Sequence, residues 1–485
     1  MLLSDLMNGD QAAPLAPLDI VGLAADSRDV RPGYLFAAIA GSAADGRDFI
    51  PDALGHGAVA VLAPPGTAIT DSDIRLITDD NPRRRLAQMA ARFFQDQPET
   101  AVAVTGTNGK TSVALFTEQI WHRLGYRAAS VGTLGIHGEG LAAPLMHTTP
   151  EPVTLHRALS DIAGHGIDHV AMEASSHGLD QYRLDGVRLT AAAFTNLSHD
   201  HLDYHASEAD YLSAKARLFG EVLRPGATAV LNADAAVFET LNEICQGRGL
   251  KVLSYGKAGA DIRLNARTAN ATGQHLDLTV LGRDYRVELP LSGSFQVDNV
   301  ACALGLVLAC GADVDAAIDA LGTLEGIKGR LQRVASHPNG APIYVDYAHT
   351  PEALDNVLQA LKPHAADRLV VVFGCGGDRD QSKRRIMGEV ACSYADSVIV
   401  TDDNPRNEDA AVIRRQVMDG CHSAIEIADR AEAIHHAVAE LGPGDVLVIA
   451  GKGHEQGQII KGDVRHFDDA EQALAAVADL GRSAS

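Results

Sequence analysis

The sequence has few features of a secreted or membrane protein. It contains six cysteines in 485 residues, none of them in a CxxC pair and none in the first half of the chain. Such scattered cysteines are typical of reduced core residues and argue against a disulfide framework. No basic residue precedes Arg28, so the sequence lacks the positively charged region of a signal peptide. No apolar run is long enough to span a bilayer. We therefore expect a cytoplasmic protein without membrane insertion.

Positive charge is also scarce. Lys and Arg total 41 against 63 Asp and Glu, which gives a net charge of −22. Such an acidic surface repels phosphate backbones and argues against a dedicated nucleic-acid binder. Binding of a small anionic ligand is compatible with this net charge, because loops and helix N-termini can bind phosphates in a negatively charged protein. The apolar fraction of 46% and charged fraction of 21% are those of a globular protein.

The length predicts about three domains, at roughly 150 residues each. We place them at residues 1–98, 99–332 and 333–485. Short apolar strand candidates alternate with helical stretches in the second and third blocks, beginning with the strands at 101–105 and 342–346. This alternation predicts an α/β fold with mostly parallel sheets covered by helices. Ligands gather at the carboxyl ends of strands in such sheets.

The most specific motif is TGTNGKTS at residues 105–112, between a predicted strand and a helix. Its glycines let backbone N–H groups surround phosphate oxygens, Lys110 can reach terminal phosphates, and the Thr111 hydroxyl can bind Mg²⁺. The loop is two residues shorter than the common nucleotide loop, and a tight turn with an incidental lysine is the alternative. Its context favours ATP binding by Gly106, Thr107, Asn108, Gly109, Lys110, Thr111 and Ser112.

The short GTNGKT loop resembles that of the ATP-dependent Mur ligase family, which includes folylpolyglutamate synthetase. In that family ATP phosphorylates a carboxylate, an amine attacks the acyl phosphate, and phosphate leaves. Matches extend from about residue 25 to residue 467. The resemblance implies an N-terminal UDP-binding α/β domain, a central parallel-sheet ATP-binding domain and a C-terminal Rossmann-like domain.

The resemblance also implies catalytic roles beside that of Lys110. Glu173, at the end of an apolar strand, and His201, in the loop after the next strand, would position Mg²⁺. From the residues alone, His201 also fits a polar loop or, with less support, a zinc site. Lys215 matches a lysine that takes up CO₂ to become a carbamate and metal ligand, which requires a neutral amine and thus a lowered pKa. The family's adenine- and phosphate-contacting positions correspond to Asn299, Arg330, Asp346 and His349.

The first block resembles the UDP-binding domain of the family member that extends UDP-N-acetylmuramoyl-L-alanyl-D-glutamate. The similar segments are ADSR at 25–28, RPGYLFA at 31–37 and GSAADGR at 41–47. Structural turns are the alternative, since Asp, Gly and Pro favour turns, but the order of the segments favours binding. The family often has Asn where this chain has His147. The implied contacts to this substrate are Ala25, Ser27, Ser42, Ala43, Ala44, His147, Thr148, Thr149, Ser175, Gln181 and Arg183.

The tetrapeptide DNPR follows a predicted strand at 403–406. In the family it marks users of meso-diaminopimelate, whereas lysine-adding members lack the arginine. Diaminopimelate carries a second carboxylate that an arginine can bind in a bidentate pair. DNPR also occurs at 80–83, where it is typical of an N-capping turn, so its position after the strand carries the argument. The implied diaminopimelate contacts are Arg384, Asp403, Asn404, Pro405, Arg406, Gly451 and Glu455, the last accepting the ammonium.

These observations predict a monomeric ligase whose partners are small molecules: ATP, the UDP-linked dipeptide and meso-diaminopimelate, with Mg²⁺. A lysine-adding ligase stays open as an alternative, although Arg406 argues against it. Folylpolyglutamate synthetase is another, but it should lack the first block. A small-molecule kinase or a nucleotide-gated binding protein would not need Lys215 or an amine pocket.

Overall fold

The computed structural model describes residues 1–7, 17–41, 44–198, 204–270 and 273–483. Ser42, Ala43 and His201 lie outside the described residues. The chain divides into two compact units. The first comprises residues 1–263, 279–283 and 299–320, and the second comprises 264–278, 284–298 and 321–485.

The helices of the described residues are spread over both units, and none of them is long and apolar enough to cross a bilayer. They are α1 Leu3–Met7, α2 Ile50–Gly55, α3 Pro82–Phe94, α4 Lys110–Arg123, α5 Pro152–Gly164, α6 Ser176–Asp180, α7 Glu208–Arg217, α8 Phe238–Gly247, α9 Ser294–Ala309, α10 Val314–Leu321, α11 Pro351–Leu361, α12 Ser382–Tyr394, α13 Ala410–Met418, α14 Arg430–Ala439 and α15 Asp469–Ser483.

The strands are mostly short, as expected for α/β units. They are β1 Gly22–Ala24, β2 Tyr34–Ala37, β3 Ala60–Ala63, β4 Arg75–Thr78, β5 Thr100–Thr105, β6 Ala128–Gly132, β7 Gly135–Gly138, β8 Leu141–Ala143, β9 His169–Glu173, β10 Leu189–Phe194, β11 Thr228–Asn232, β12 Lys251–Gly256, β13 Ile262–Ala269, β14 Gln274–Val280, β15 Arg283–Leu289, β16 Gln332–Ser336, β17 Pro342–Asp346, β18 Leu369–Phe373, β19 Ser397–Val400, β20 Ile425–Glu426, β21 Val446–Ala450, β22 Gly457–Ile460 and β23 Asp463–His466.

The N-terminal part of the first unit is a parallel sheet with strand order β1-β2-β3-β4. Successive residues of β2 alternate in direction, so Leu35 packs in one buried cluster and Phe36 in another on the opposite face. The predicted helix after the first DNPR is confirmed as α3. Asn81 caps it by accepting a hydrogen bond from the backbone N–H of Arg84 at 3.0 Å.

The central sheet of the first unit contains the order β12-β11-β10-β5-β9-β6-β7-β8. Strands β12 to β6 pair in parallel, as predicted, while β7 and β8 form antiparallel additions. The register of β5 and β9 pairs Val104 with Glu173. The phosphate loop and Glu173 therefore leave adjacent strands at the same sheet edge.

The second unit contains a sheet of order β16-β17-β21-β18-β19-β20, in which only the β16–β17 pair is antiparallel. Helices cover both faces: Val371 packs in a cluster with Leu354 of α11 and Met387 of α12, and Val372 packs with Ile434 of α14. The predicted doubly wound α/β arrangement of the third block is confirmed. Strand β16 was not anticipated.

Buried His156 of α5 gives a pH-dependent stability. Its Nε2 donates to the carbonyl of Asp185 at 3.1 Å, and burial lowers its pKa to about 4. Below about pH 6.5, His156 is protonated in the unfolded chain but stays neutral in the folded protein. The free energy of unfolding therefore decreases by up to about 1.4 kcal/mol per pH unit until about pH 4. We expect His156→Gln, which keeps a donor, to flatten this slope in denaturant unfolding between about pH 5 and 7. An unchanged slope would contradict the assignment.

Candidate active site

The glycine-rich loop joins the end of β5 to the first residue of α4. Gly109 has φ 89°, a conformation that favours glycine, and a Cβ there would collide with Oδ1 of Asn299. Lys110 Nζ donates to the carbonyls of Gly106 at 2.9 Å and Thr107 at 2.8 Å. The loop thus precedes the N-terminus of a 14-residue helix, where backbone N–H groups favour anions. Asn299, predicted near the nucleotide, lies directly on this loop.

The segment after β10 anchors the loop from the other side. Oδ1 of Asn196 accepts a hydrogen bond from the N–H of Asn108 at 2.9 Å, and its carbonyl accepts one from the N–H of Thr107 at 2.9 Å. Tyr211 of α7 donates its hydroxyl proton to Oγ1 of Thr107 at 3.2 Å. The sequence did not single out these anchors, because a lone Asn or Tyr carries no local signal of a partner 88 or 104 residues away.

Glu173 is buried next to the helix that follows the loop. Its Oε2 accepts from the hydroxyls of Thr111 at 3.0 Å and Thr133 at 3.2 Å, and its Oε1 accepts from the N–H of Thr133 at 2.7 Å. Glu173 therefore contacts the loop at Thr111, and its role in holding Mg²⁺ stays a prediction. A carboxylate beside a threonine hydroxyl provides the hard oxygen donors that Mg²⁺ prefers. Within the described residues, no group of three or more His, Cys, Asp or Glu is placed to hold a metal.

Lys215 is 1% exposed, although it lies on a helix near the surface. Its Nζ donates to the carbonyl of Gly106 at 2.8 Å and lies 4.1 Å from the ring centre of Tyr211. The lysine predicted to be modified therefore reaches the phosphate loop itself. Its burial distinguishes Lys215 from the solvated surface lysines that most helices carry.

Four residues predicted to bind the UDP-linked dipeptide form one hydrogen-bonded network. Arg183 donates to the carbonyl of Thr149 at 2.6 Å and to Oε1 of Gln181 at 2.8 Å. The hydroxyl of Thr149 donates to the carbonyl of Glu173 at 2.8 Å and lies 3.0 Å from Oγ of Ser175. The network thus joins the predicted substrate contacts to the backbone of the predicted metal ligand. Tyr204, which sequence reasoning missed, bonds to Gln181 Nε2 at 3.1 Å.

Thr148 and His147 lie at the ends of this network. Oγ1 of Thr148 is 3.0 Å from Oγ1 of Thr133, the residue that also holds Glu173. Partial desolvation and the positive charge of Arg183 lower the pKa of His147. A neutral imidazole offers one N–H donor and one acceptor, so it can replace part of the hydrogen bonding of an asparagine amide.

The N-terminal candidates are split between exposed and buried positions. Ala25 is exposed, whereas Ser27 is buried and its carbonyl lies 3.0 Å from Nδ1 of His56. Asp26 caps the short turn that contains Ser27. This segment therefore also forms a structural turn, which was the alternative to a role in binding. The exposed Ala44 accepts a hydrogen bond from the N–H of Gly41 at 2.8 Å.

In the second unit, the DNPR segment after β19 makes long-range contacts. Asn404 Nδ2 donates to Oε2 of Glu455 at 3.0 Å, and its Oδ1 accepts from the N–H of Ile459 at 2.9 Å. Lys452 is fully buried and lies 3.2 Å from Asn404 Oδ1 and 3.3 Å from Glu455 Oε2. Two predicted contacts thus meet around a lysine that the sequence reasoning passed over, although it stands in the AGKGHE segment.

Three more predicted contacts belong to this cluster. Asp403 accepts a hydrogen bond from the N–H of Asn404 at 2.7 Å, and a Cβ on Gly451 would lie 3.0 Å from Asp403 Oδ2. Pro405 is buried, and its carbonyl accepts a hydrogen bond from the N–H of Glu408 at 3.1 Å. The loop that contains DNPR is therefore tightly packed.

Arg406 has φ 51°, which strains a residue other than glycine. Backbone bonds to Ile459 at 3.0 Å and Lys461 at 2.7 Å hold it there. Its Nη1 donates to the carbonyl of Gly377 at 2.7 Å. Among the described residues, Nε and Nη2 of Arg406 have no hydrogen-bond acceptor, and these two atoms form the edge that binds a carboxylate side-on.

Arg384 is buried and already paired within the second unit. Its Nη1 and Nη2 donate to the carboxylate of Glu408 at 2.9 and 2.8 Å, Nη1 also donates to Gln416 at 2.7 Å, and Nη2 also donates to the Gly376 carbonyl at 3.1 Å. Arg384 and Arg406 therefore hold the consecutive carbonyls of Gly376 and Gly377. Direct contact of Arg384 with an amino acid stays a prediction. Sequence reasoning missed Glu408, which lies two residues after the motif.

The remaining nucleotide-side candidates also lie in the second unit. Asp346 accepts hydrogen bonds from the N–H groups of Leu331 at 2.6 Å and Ala348 at 2.7 Å, and burial raises its pKa to about 6. Asp346 thus links Leu331, the residue after Arg330, to Ala348, the residue before His349. The guanidinium of Arg330 lies 4.6 Å from the ring centre of Tyr347.

Three models of one family match the chain in succession. They are described as "Mur ligase family, catalytic domain" over residues 19–94, "Mur ligase middle domain" over 104–307 and "Mur ligase, glutamate ligase domain" over 329–453. The UDP-N-acetylmuramoyl-L-alanyl-D-glutamate--2,6-diaminopimelate ligase of Bradyrhizobium diazoefficiens is 51% identical over 99% of both chains.

Two solved structures are also similar to the chain. A UDP-N-acetylmuramoyl-L-alanyl-D-glutamate--2,6-diaminopimelate ligase shares a TM-score of 0.76 and 34% identity, with 99% of each chain covered. The MurF ligase of Thermotoga maritima in complex with ADP has a TM-score of 0.64 at 19% identity and covers 96% of this chain and 99% of its own. The second likeness concerns the fold alone.

Proposed function

Because the chain belongs to the Mur ligase family, we propose that it adds meso-2,6-diaminopimelate to UDP-N-acetylmuramoyl-L-alanyl-D-glutamate in an ATP-dependent step of peptidoglycan precursor synthesis. The observation that carries the specificity is the DNPR loop. It contains Arg406, whose Nη1 donates to the Gly377 carbonyl, and Asn404, whose amide donates to Glu455. These residues offer a cation for the distal carboxylate and a carboxylate for the distal ammonium of diaminopimelate.

The reaction proceeds by way of an acyl phosphate. The terminal phosphoryl group of ATP passes to the substrate carboxylate, the diaminopimelate amine attacks the acyl carbon, and phosphate leaves. The loop of residues 106–112, Lys110 and the N-terminus of α4 bind the ATP phosphates and stabilise their charge. Asn299, Arg330 and His349 contact the nucleotide, and Asp346 positions the last two.

Mg²⁺ supplies charge neutralisation at the phosphates during this transfer. Thr111, Glu173, His201 and the carbamate of Lys215 would hold it. The network of Thr149, Ser175, Gln181 and Arg183, with His147 and Thr148, binds the muramoyl dipeptide. Ala25, Ser27 and residues 42–44 bind the uridine diphosphate end. We further propose a monomer in the cytoplasm, with domains at 1–98, 99–332 and 333–485. Three successive family matches, over 19–94, 104–307 and 329–453, support a division into three domains.

Mass analysis of the reaction products tests this proposal. Purified protein is incubated with ATP, Mg²⁺, the UDP-linked dipeptide and meso-diaminopimelate. We expect one product, whose mass exceeds that of the UDP-linked dipeptide by the mass of diaminopimelate less one water. A phosphorylated dipeptide as the final product would instead identify a kinase, and an unaltered substrate from folded protein would refute the assignment.

Thr133 positions Glu173 and Thr148 and should affect turnover. Thr133→Val removes the hydroxyl that contacts both residues but keeps the shape and the backbone N–H bond to Glu173. We expect kcat for phosphate release to fall about 10-fold, as for other residues that orient metal ligands. Thr133→Ser is the matched control and should keep most of the activity. Equal kcat values for the Val variant and the native protein would exclude this role.

A further inference from the structure

Two thiols of the second unit lie against one serine hydroxyl, away from the proposed binding residues. Sγ of Cys392, near the end of α12, is 3.5 Å from Oγ of Ser423, and Sγ of Cys421, after α13, is 3.6 Å from the same atom. Contact with the same hydroxyl places the two thiols close to each other.

The backbones of the two segments are already in contact beside this pair. A Cβ on Gly388 would collide with the carbonyl of Val417, and one on Gly420 would collide with the carbonyl of Arg385. Cys392 lies one helical turn after Gly388, on the same face of α12, and Cys421 directly follows Gly420. The segments therefore need no large movement to bring the sulfurs together.

The two cysteines differ in exposure and in thiol pKa, as the reactive and the resolving cysteine of a redox pair do. Cys392 is exposed, whereas Cys421 is 1% exposed. Hydrogen bonds from Cys421 and Ser423 lower the pKa of the Cys392 thiol, and burial raises the pKa of the Cys421 thiol. The exposed thiolate is the nucleophile in thiol oxidation, so Cys392 reacts first.

We propose that Cys392 and Cys421 form a reversible redox site, in which a peroxide converts the two thiols to an intramolecular disulfide. The Cys392 thiolate attacks one peroxide oxygen and becomes a sulfenic acid, and the other oxygen leaves as hydroxide, which takes up a proton to become water. The Cys421 sulfur then attacks the sulfenic sulfur and releases a second water. Two thiols and one H₂O₂ thus give one disulfide and two water molecules. The cross-link would join α12, the helix of Arg384, to the turn that follows α13. Gln416, which binds Arg384, lies in α13.

Peptide mapping of the full chain after treatment with hydrogen peroxide tests this site. We expect a 392–421 linked peptide pair, two hydrogens lighter than the free thiols, that dithiothreitol separates. In Cys421→Ser, Cys392 should persist as a sulfenic acid that dimedone traps, and Cys392→Ser should show no such adduct at 421. Cys375→Ser, at a buried thiol, is the control and should still form the linked pair. Consumption of Cys392 no faster than Cys310, or linkage only between separate chains, would overturn the proposal.

Discussion

Lys215→Ala should lose at least about 100-fold in amide-forming activity, the size of effect seen when a preorganised electrostatic group is removed. Lys215 is almost fully buried, and its Nζ lies 2.8 Å from the carbonyl of Gly106 in the phosphate loop. In the proposed modification, the neutral amine of Lys215 adds CO₂ to give a carbamate and a proton. The product would replace a cation by a carboxylate-like group next to the phosphate loop.

Rescue by small acids separates this role from a structural one. Alanine leaves a space in which formate or acetate can take the place of the carbamate, so either acid should partly restore the activity of Lys215→Ala. Lys215→Met fills that space and should stay inactive with the same acids. Lys257→Ala, at an exposed lysine, is the control and should match the native protein. Full activity of Lys215→Ala without added acid would show that the carbamate role is wrong.

Arg406→Ala should lower kcat/KM for meso-diaminopimelate by about 100-fold, because truncating one partner of a close charge pair costs about 2–5 kcal/mol. The proposed pair uses the Nε and Nη2 edge, since Nη1 is bound to Gly377. KM for ATP should stay within about twofold of the native value, because the loss is confined to one substrate. Steady-state kinetics with each substrate varied in turn measure both values.

Two controls accompany this variant. Arg465→Ala removes an exposed arginine of the same unit and should leave both KM values unchanged. Arg83→Ala alters the other DNPR tetrapeptide and should not change the preference for diaminopimelate. Native kcat and KM for diaminopimelate in Arg406→Ala would refute the bidentate pair.

The two DNPR tetrapeptides show how far a local pattern determines a role. Asn81 accepts a hydrogen bond from Arg84 within its own turn and caps α3, as sequence reasoning anticipated. Asn404 instead bonds to Glu455 and Ile459, more than 50 residues away. The same four residues therefore form a cap in one place and a packed loop in the other. Position after a strand does not by itself distinguish them, because β4 ends two residues before the first DNPR and β19 ends three residues before the second. Binding of diaminopimelate by the second DNPR stays a prediction.

Strands and the phosphate loop were predictable because their signals are local. The predicted strand at 342–346 agrees with β17 residue for residue. Glu173 was placed beside the loop by the rule for strand ends, and its bond to Thr111 bears this out. The partners of Glu173 and Arg384 were not predictable, because Thr133 and Glu408 meet them only through the tertiary fold. The division into two units likewise depends on long-range packing.

Phosphate release with different amines tests the central claim most directly. Purified protein receives ATP, Mg²⁺ and UDP-N-acetylmuramoyl-L-alanyl-D-glutamate, together with meso-diaminopimelate, L-lysine or no amine. We expect phosphate release with diaminopimelate only. Release with lysine in its place would retain the ligase reaction but contradict the role of Arg406. Release that does not depend on any amine would contradict the account as a whole.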